Sequence, residues 1–194
     1  MFNYFKAIYI VPFFLSIFIS IFFIPLYNSN NISFICNSTP ISLSSLNSNF
    51  IWPTPGYKSI SSYFGYRKSP IAGASSYHSG IDILAPQGTN IKAIESGYVS
   101  FVGFDGGNGY CVKINHDNNN SSTYAHVSPN FVVKIGDYVN KGTTIANVGP
   151  KYIKNTNYSY VDSSGKHTNG ATTGPHLHLA ISKNGKRINP LDVL

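Results

Sequence analysis

The chain has 194 residues, 42% hydrophobic and 14% aromatic, and its 14 Lys and Arg against 7 Asp and Glu give a formal charge of +7. Only 11% of residues are charged, but apolar residues abound among them, which excludes a fully disordered chain. Cys36 and Cys111 are the only cysteines, too few for a disulfide scaffold and too far apart for a paired-cysteine zinc site.

The first element is apolar. Residues 7–26 read AIYIVPFFLSIFISIFFIPL, with no charge and with Ser16 and Ser20 as the polar side chains. Twenty helical residues at about 1.5 Å each span about 30 Å, the hydrocarbon thickness of a bilayer. Pro12 and Pro25 stand near the ends, where a membrane helix tolerates them. The expectation for residues 1–26 is an uncleaved transmembrane anchor. A cleaved signal peptide is the competing reading, but no small-x-small cleavage site follows the run. Lys6 precedes the run and no other Lys or Arg occurs until Lys58, which favours an N-terminus inside the cell and the remainder beyond the membrane.

Residues 27–51 read as a linker. Thirteen of the 24 residues from Tyr27 to Phe50 are Asn or Ser, a composition without helical periodicity that suits a flexible tether. From Trp52 to the C-terminus the texture changes to short apolar runs punctuated by Gly, Asn and Pro. Strands are expected at Ile60–Phe64, Ile81–Leu84, Asn90–Glu95, Tyr98–Phe104, Tyr110–His116, Thr123–His126, Thr144–Val148 and Leu177–Ser182. No sustained period of 3.6 appears, and the gaps are too short for parallel crossovers. The fold class expected for residues 52–194 is therefore all-β, mainly antiparallel, with little helix.

Within this region IGDYVNKGTTIANVG (135–149) resembles half of a biotinyl- or lipoyl-type hairpin. A carrier lysine must stand at an exposed hairpin tip, whereas Lys141 precedes Gly142 inside the turn. A structural hairpin is the reading that remains.

Chemistry concentrates in the histidines. In HLHLAI (176–181) strand alternation puts His176 and His178 on one face and Leu177 and Leu179 on the other. In HSGID (78–82) a bend at Gly80 can bring His78 and Asp82 to one centre. Asp82 interrupts an apolar run, which is costly unless a cation or hydrogen bonds satisfy the carboxylate. Nitrogen and carboxylate donors of this kind suit zinc, with a position left open for catalysis. HExxH is absent and Glu95 is the one glutamate, so a glutamate base of that type is excluded.

These motifs, with SSYFGYRKSPI (61–71), GYVSFVGFDGGNGYCVKINH (97–116), TYAHVS (123–128) and TGPHLHLAI (173–181), resemble the LytM/lysostaphin-type zinc endopeptidases that cut peptide bonds in peptidoglycan. They occur in family order and cover essentially all of residues 58–194. The resemblance implies His78, Asp82 and His178 as ligands of one Zn2+, and His126 and His176 as catalytic residues of a metal-assisted hydrolysis, either of them able to accept the proton. It implies peptidoglycan peptide stems as substrate and, with the apolar run, a single-pass protein of the bacterial inner membrane whose domain lies in the periplasm. A noncatalytic relative that binds peptidoglycan and activates an amidase is the alternative, but such members have replaced ligands. The positive charge suits an anionic wall polymer, and no basic helix or aromatic stacking motif points to nucleic acid.

The sequence departs from the family between Gly149 and Gly174, where PKYIKNTNYSYVDSSGKHTNGATT replaces a short connection and is expected to border the substrate groove. His116 is expected to be structural, His167 solvated and Cys111 part of the core.

Overall fold

A computed structural model describes residues 50–69, 71, 74–154 and 160–194. Among these residues the structure is strand and turn, with 3-10 turns at Gly106–Asn108 and Pro190–Asp192 as the helical pieces. No helix among them is long and apolar enough to cross a membrane. The apolar run 7–26, the linker up to residue 49 and Cys36 lie outside the described residues.

Twelve strands follow in chain order: β1 (Ile60–Ser62), β2 (Gly65–Tyr66), β3 (Tyr77–His78), β4 (Ile81–Ile83), β5 (Asn90–Lys92), β6 (Gly97–Phe104), β7 (Tyr110–Asn115), β8 (Asn120–Ala125), β9 (Tyr138–Val139), β10 (Thr144–Asn147), β11 (Leu177–Lys183) and β12 (Lys186–Ile188). The main sheet runs β1-β4-β11-β8-β7-β6-β9, with β12 pairing the second half of β11. All its pairings are antiparallel. Two short ribbons, β5–β10 and β2–β3, complete the fold.

Alternation divides the central strands into two chemistries. Leu177, Leu179 and Ile181 on β11, with Ile81 and Ile83 on β4, enter a core that also holds Ile91, Ile114, Tyr124 and Ile145. Tyr124 is fully buried, and its hydroxyl accepts the Ile94 N–H at 2.8 Å. His178 and Asp82 occupy the opposite face, directly paired in register across β11 and β4. The core side thus fixes the register that brings those two side chains together, because a one-residue slip would drive both into the apolar interior.

Two expectations need revision. The segment 135–149 is not a hairpin: β9 pairs β6 and β10 pairs β5, and a tight turn closed by Thr143 N–H on the Asn140 carbonyl joins them. The two strands pair with different, distant strands rather than with each other, and Lys141 forms an ion pair with Glu95 at 2.7 Å. His167 is half-buried on a bridge to Val161 rather than solvated. The hairpin β2–β3 was not foreseen, because two-residue strands carry no periodicity. His116 is structural as expected, its Nδ1–H donated to the Ser96 carbonyl at 2.9 Å and Nε2 at 2.8 Å from Ser122 Oγ. Cys111 is buried in β7, where burial pushes its thiol up to about 12.

Candidate metal centre

The centre is assembled from three strands and two turns. His78 ends β3, and the chain then turns through Ser79 and Gly80 into β4. A side chain at Gly80 would run into the Leu179 carbonyl of β11. This close approach is the physical reason for glycine in HSGID, since it lets β4 lie against β11 with Asp82 beside His178.

The donor atoms converge. His78 Nε2 lies 3.0 Å from Asp82 Oδ1 and 2.9 Å from His178 Nδ1, and His178 Nδ1 is 2.9 Å from the same carboxylate oxygen. These three are the group among the described residues that can hold a metal ion. The tautomer of His78 tests the fit. Its Nδ1–H donates to the Tyr63 carbonyl at 2.8 Å, so Nε2 presents a lone pair to an anionic oxygen. Two acceptors this close, both largely out of water, repel unless a cation or proton lies between them. Tetrahedral zinc with ligands at about 2.0–2.1 Å has donor atoms about 3.3 Å apart. A shift of a few tenths of an ångström converts the observed triangle into such a site, so the residues fit zinc.

The two further histidines flank this triangle. His176 lies two residues before His178 and shares its face; its Nδ1–H donates to the Gly174 carbonyl at 2.8 Å, and Nε2 is 3.6 Å from Asp82 Oδ1. His126 follows the end of β8, where simple alternation would turn it away from Ala125 and the site. Its backbone instead adopts φ 58°, in the left-handed region. Two bonds hold this conformation, His126 N–H to Asn108 O and Gly149 N–H to His126 O, both at 2.9 Å. The His126 and His176 ring centroids are 4.7 Å apart.

Burial sets the charge states. It lowers His126 to about 3, helped by the neighbouring His176 and His178, and it lowers His178 despite the adjacent Asp82. Burial alone would raise the Asp82 carboxyl, but the imidazoles of His176, His178 and His78 gathered around it hold it far below the usual carboxylate range. The centre thus sets one anionic oxygen beside His178, an imidazole that resists protonation, the state a metal requires of its ligands.

Two residues at the site were not foreseen. Arg67 Nη1 lies 3.1 Å from Asp82 Oδ2 and also donates to Ser62 Oγ. Asn169, fully buried, accepts the His126 Nδ1–H on its backbone carbonyl at 2.7 Å. Its side-chain Oδ1 accepts the Tyr110 N–H at 2.8 Å, and Nδ2 donates to the Val127 carbonyl at 2.9 Å. The connection expected to border the groove does so at its C-terminal end: Ala171, Thr173 and Gly174 line the cleft, but none of its earlier described residues do. Arg67, Lys68 and Tyr77 also line this cleft of about 800 Å³, together with His78, Asp82, His126, His176 and His178.

Comparison with known proteins places these residues in a family. Residues 76–190 match the model of Peptidase family M23. The chain is 39% identical over 141 residues to the DD-carboxypeptidase/endopeptidase Mpg of Neisseria meningitidis, an alignment covering 71% of this chain and 27% of that protein. It therefore spans about a quarter of the length of such curated relatives. Among solved structures, a zinc-containing peptidase from Vibrio cholerae superposes with a TM-score of 0.57 at 27% identity, over 73% of this chain and 39% of the other. The catalytic domain of lysostaphin from Staphylococcus simulans gives 0.54 at 27% identity, over 70% and 90% respectively.

Proposed function

The chain belongs to peptidase family M23, and from that premise we propose that it is a zinc-dependent endopeptidase that hydrolyses peptide cross-links of bacterial peptidoglycan during cell-wall remodelling. The observation that carries this reading is the intact constellation: three convergent donors, His78, Asp82 and His178, flanked by two histidines in an open cleft. The noncatalytic alternative requires replaced ligands, and all five positions are filled here.

A zinc ion held by the three donors would polarise the scissile carbonyl and lower the pKa of a water molecule. The remaining chemistry belongs to the chain. His126 and His176 both commit Nδ1–H to a backbone carbonyl, which leaves Nε2 as the acceptor in the cleft. Either Nε2 can take a proton from water and return it to the departing amine. As imidazolium, either can also stabilise the oxyanion of the tetrahedral intermediate. The excess of basic residues favours approach to an anionic polymer.

The bond proposed is the cross-link between D-Ala and diaminopimelate. Digesting purified wall material and sequencing the released fragments by mass spectrometry tests it. Cross-linked dimers should decline as monomers appear; fragments carrying only shortened glycan would refute a peptidase. We also propose that residues 7–26 stay attached as an inner-membrane anchor with the domain in the periplasm. Intact-mass analysis of detergent-extracted protein checks this, and a mature N-terminus between Tyr27 and Phe50 would refute it.

A further inference from the structure

We infer that Arg67 is a positioning residue of the metal centre, holding the Asp82 carboxylate so that a single oxygen faces the ion. The inference rests on the metallopeptidase reading above, and it concerns a side chain that touches the three-donor triangle directly at Asp82 and indirectly through Ser62, whose Oγ lies 3.4 Å from His78 Nδ1.

The geometry divides the carboxylate between two tasks. Oδ1 lies 3.0 Å from His78 Nε2 and 2.9 Å from His178 Nδ1, while Oδ2 accepts from Arg67 Nη1 at 3.1 Å. The same Nη1 donates to Ser62 Oγ, and Ser62 is the register partner of Asp82 across β1 and β4. The guanidinium is therefore tied to the strand beside the carboxylate it holds. Arg67 N–H also donates to the Ser76 carbonyl at 2.8 Å, which extends the β2–β3 hairpin by one rung. That hairpin ends in His78. One ribbon thus delivers a ligand to one oxygen of Asp82 and a guanidinium to the other.

A carboxylate released from this clamp can rotate, so Oδ1 is no longer held in place beside His78 and His178 and must be ordered anew whenever an ion binds. Partners that orient a ligand in this way typically contribute about 10- to 100-fold to metal affinity.

Charge alone predicts the opposite sign. A guanidinium this near a dication repels it, so an arginine present only as a neighbouring charge would, when removed, tighten zinc binding. The direction of the effect therefore separates positioning from proximity.

The test measures the zinc dissociation constant of the full-length chain by competition with a chromogenic chelator, together with the melting midpoint of the zinc-free protein. Arg67→Met should bind zinc about 10- to 100-fold more weakly with a zinc-free midpoint close to the parent. Arg67→Lys, whose ammonium can reach one of the two oxygens, should recover part of the loss. Ser62→Ala removes the second anchor and should weaken binding toward the lower end of that range, and it reads the same clamp if Arg67→Met fails to fold. His178→Ala serves as the reference. If it loses zinc while Arg67→Met and Ser62→Ala bind as tightly as the parent or tighter, the inference is overturned and the metal centre stands. If His178→Ala keeps its zinc, the metal-centre reading falls and takes the inference with it.

Discussion

Replacing Asn169 by Ala should unsettle both the fold and His126, and the structure sets the size of the effect. Asn169 is fully buried, and its side chain makes two bonds to backbone groups. Alanine would leave the Tyr110 N–H and the Val127 carbonyl without these partners. Each buried group left unpaired costs about 1–3 kcal/mol, so the total is about 2–6 kcal/mol. For a domain of this size 1 kcal/mol moves the melting midpoint by about 2–4 °C, which puts the drop between about 4 °C and about 24 °C. The carbonyl that holds the His126 Nδ1–H sits on the same residue, so hydrolysis should fall too, within the roughly 10²- to 10⁴-fold that a positioned proton-transfer group contributes. Calorimetry and hydrolysis of a cross-linked muropeptide measure the two effects on one preparation. A variant that melts within about 2 °C of the parent and retains full activity would refute the role given to Asn169.

The donor distances separate binding from chemistry within one strand. His178→Ala should lose zinc and activity together, whereas His176→Ala and His126→Ala should keep about one zinc per chain by elemental analysis and lose activity by roughly 10²- to 10⁴-fold; zinc lost from His176→Ala but kept by His178→Ala would reverse the assignment. Zinc-free protein should lose stability as pH falls. Burial depresses His126 to about 3 and also lowers His178 and His116, so below about pH 6.5 the unfolded chain takes up protons that the folded one refuses. Stability present above that pH should therefore drain away toward about pH 3, and a midpoint that stays flat or rises from pH 7 to pH 4 contradicts this. Replacing residues 153–166 by a short Gly-Ser turn, with Thr168, Asn169 and Gly170 retained, should leave zinc content and released fragments unchanged, because the described part of that segment lies off the cleft. An altered fragment profile would show that it touches substrate.

Much of the site was legible because it lies on strands whose alternation is visible in sequence. Leu177 and Leu179 face the core and so force His176 and His178 outward, and Ile81 and Ile83 do the same for Asp82. Gly80 signalled a bend, and the close approach to Leu179 explains it. The partners of β9 and β10 were not legible, since local grammar marks a strand but not which distant strand it pairs with. Asn169 gave no signal, because what it offers His126 is a backbone carbonyl that any residue possesses. Arg67 did leave a trace. It and Arg187 are the only arginines beside 12 lysines, and a chain that otherwise uses lysine places its fork-shaped cation where a carboxylate must be oriented.

The central claim is that this chain cuts cross-linked wall peptides with a zinc ion held by His78, Asp82 and His178. The most direct measurement follows a purified cross-linked muropeptide dimer by mass spectrometry through three states of the full-length protein: as isolated, stripped by a chelator, and reloaded with one equivalent of zinc. Dimer should be converted to monomers in the first state, stay intact in the second, and be converted again in the third. Cleavage that continues unchanged in the stripped protein, or a reloaded protein that binds zinc and leaves the dimer intact, would contradict the claim.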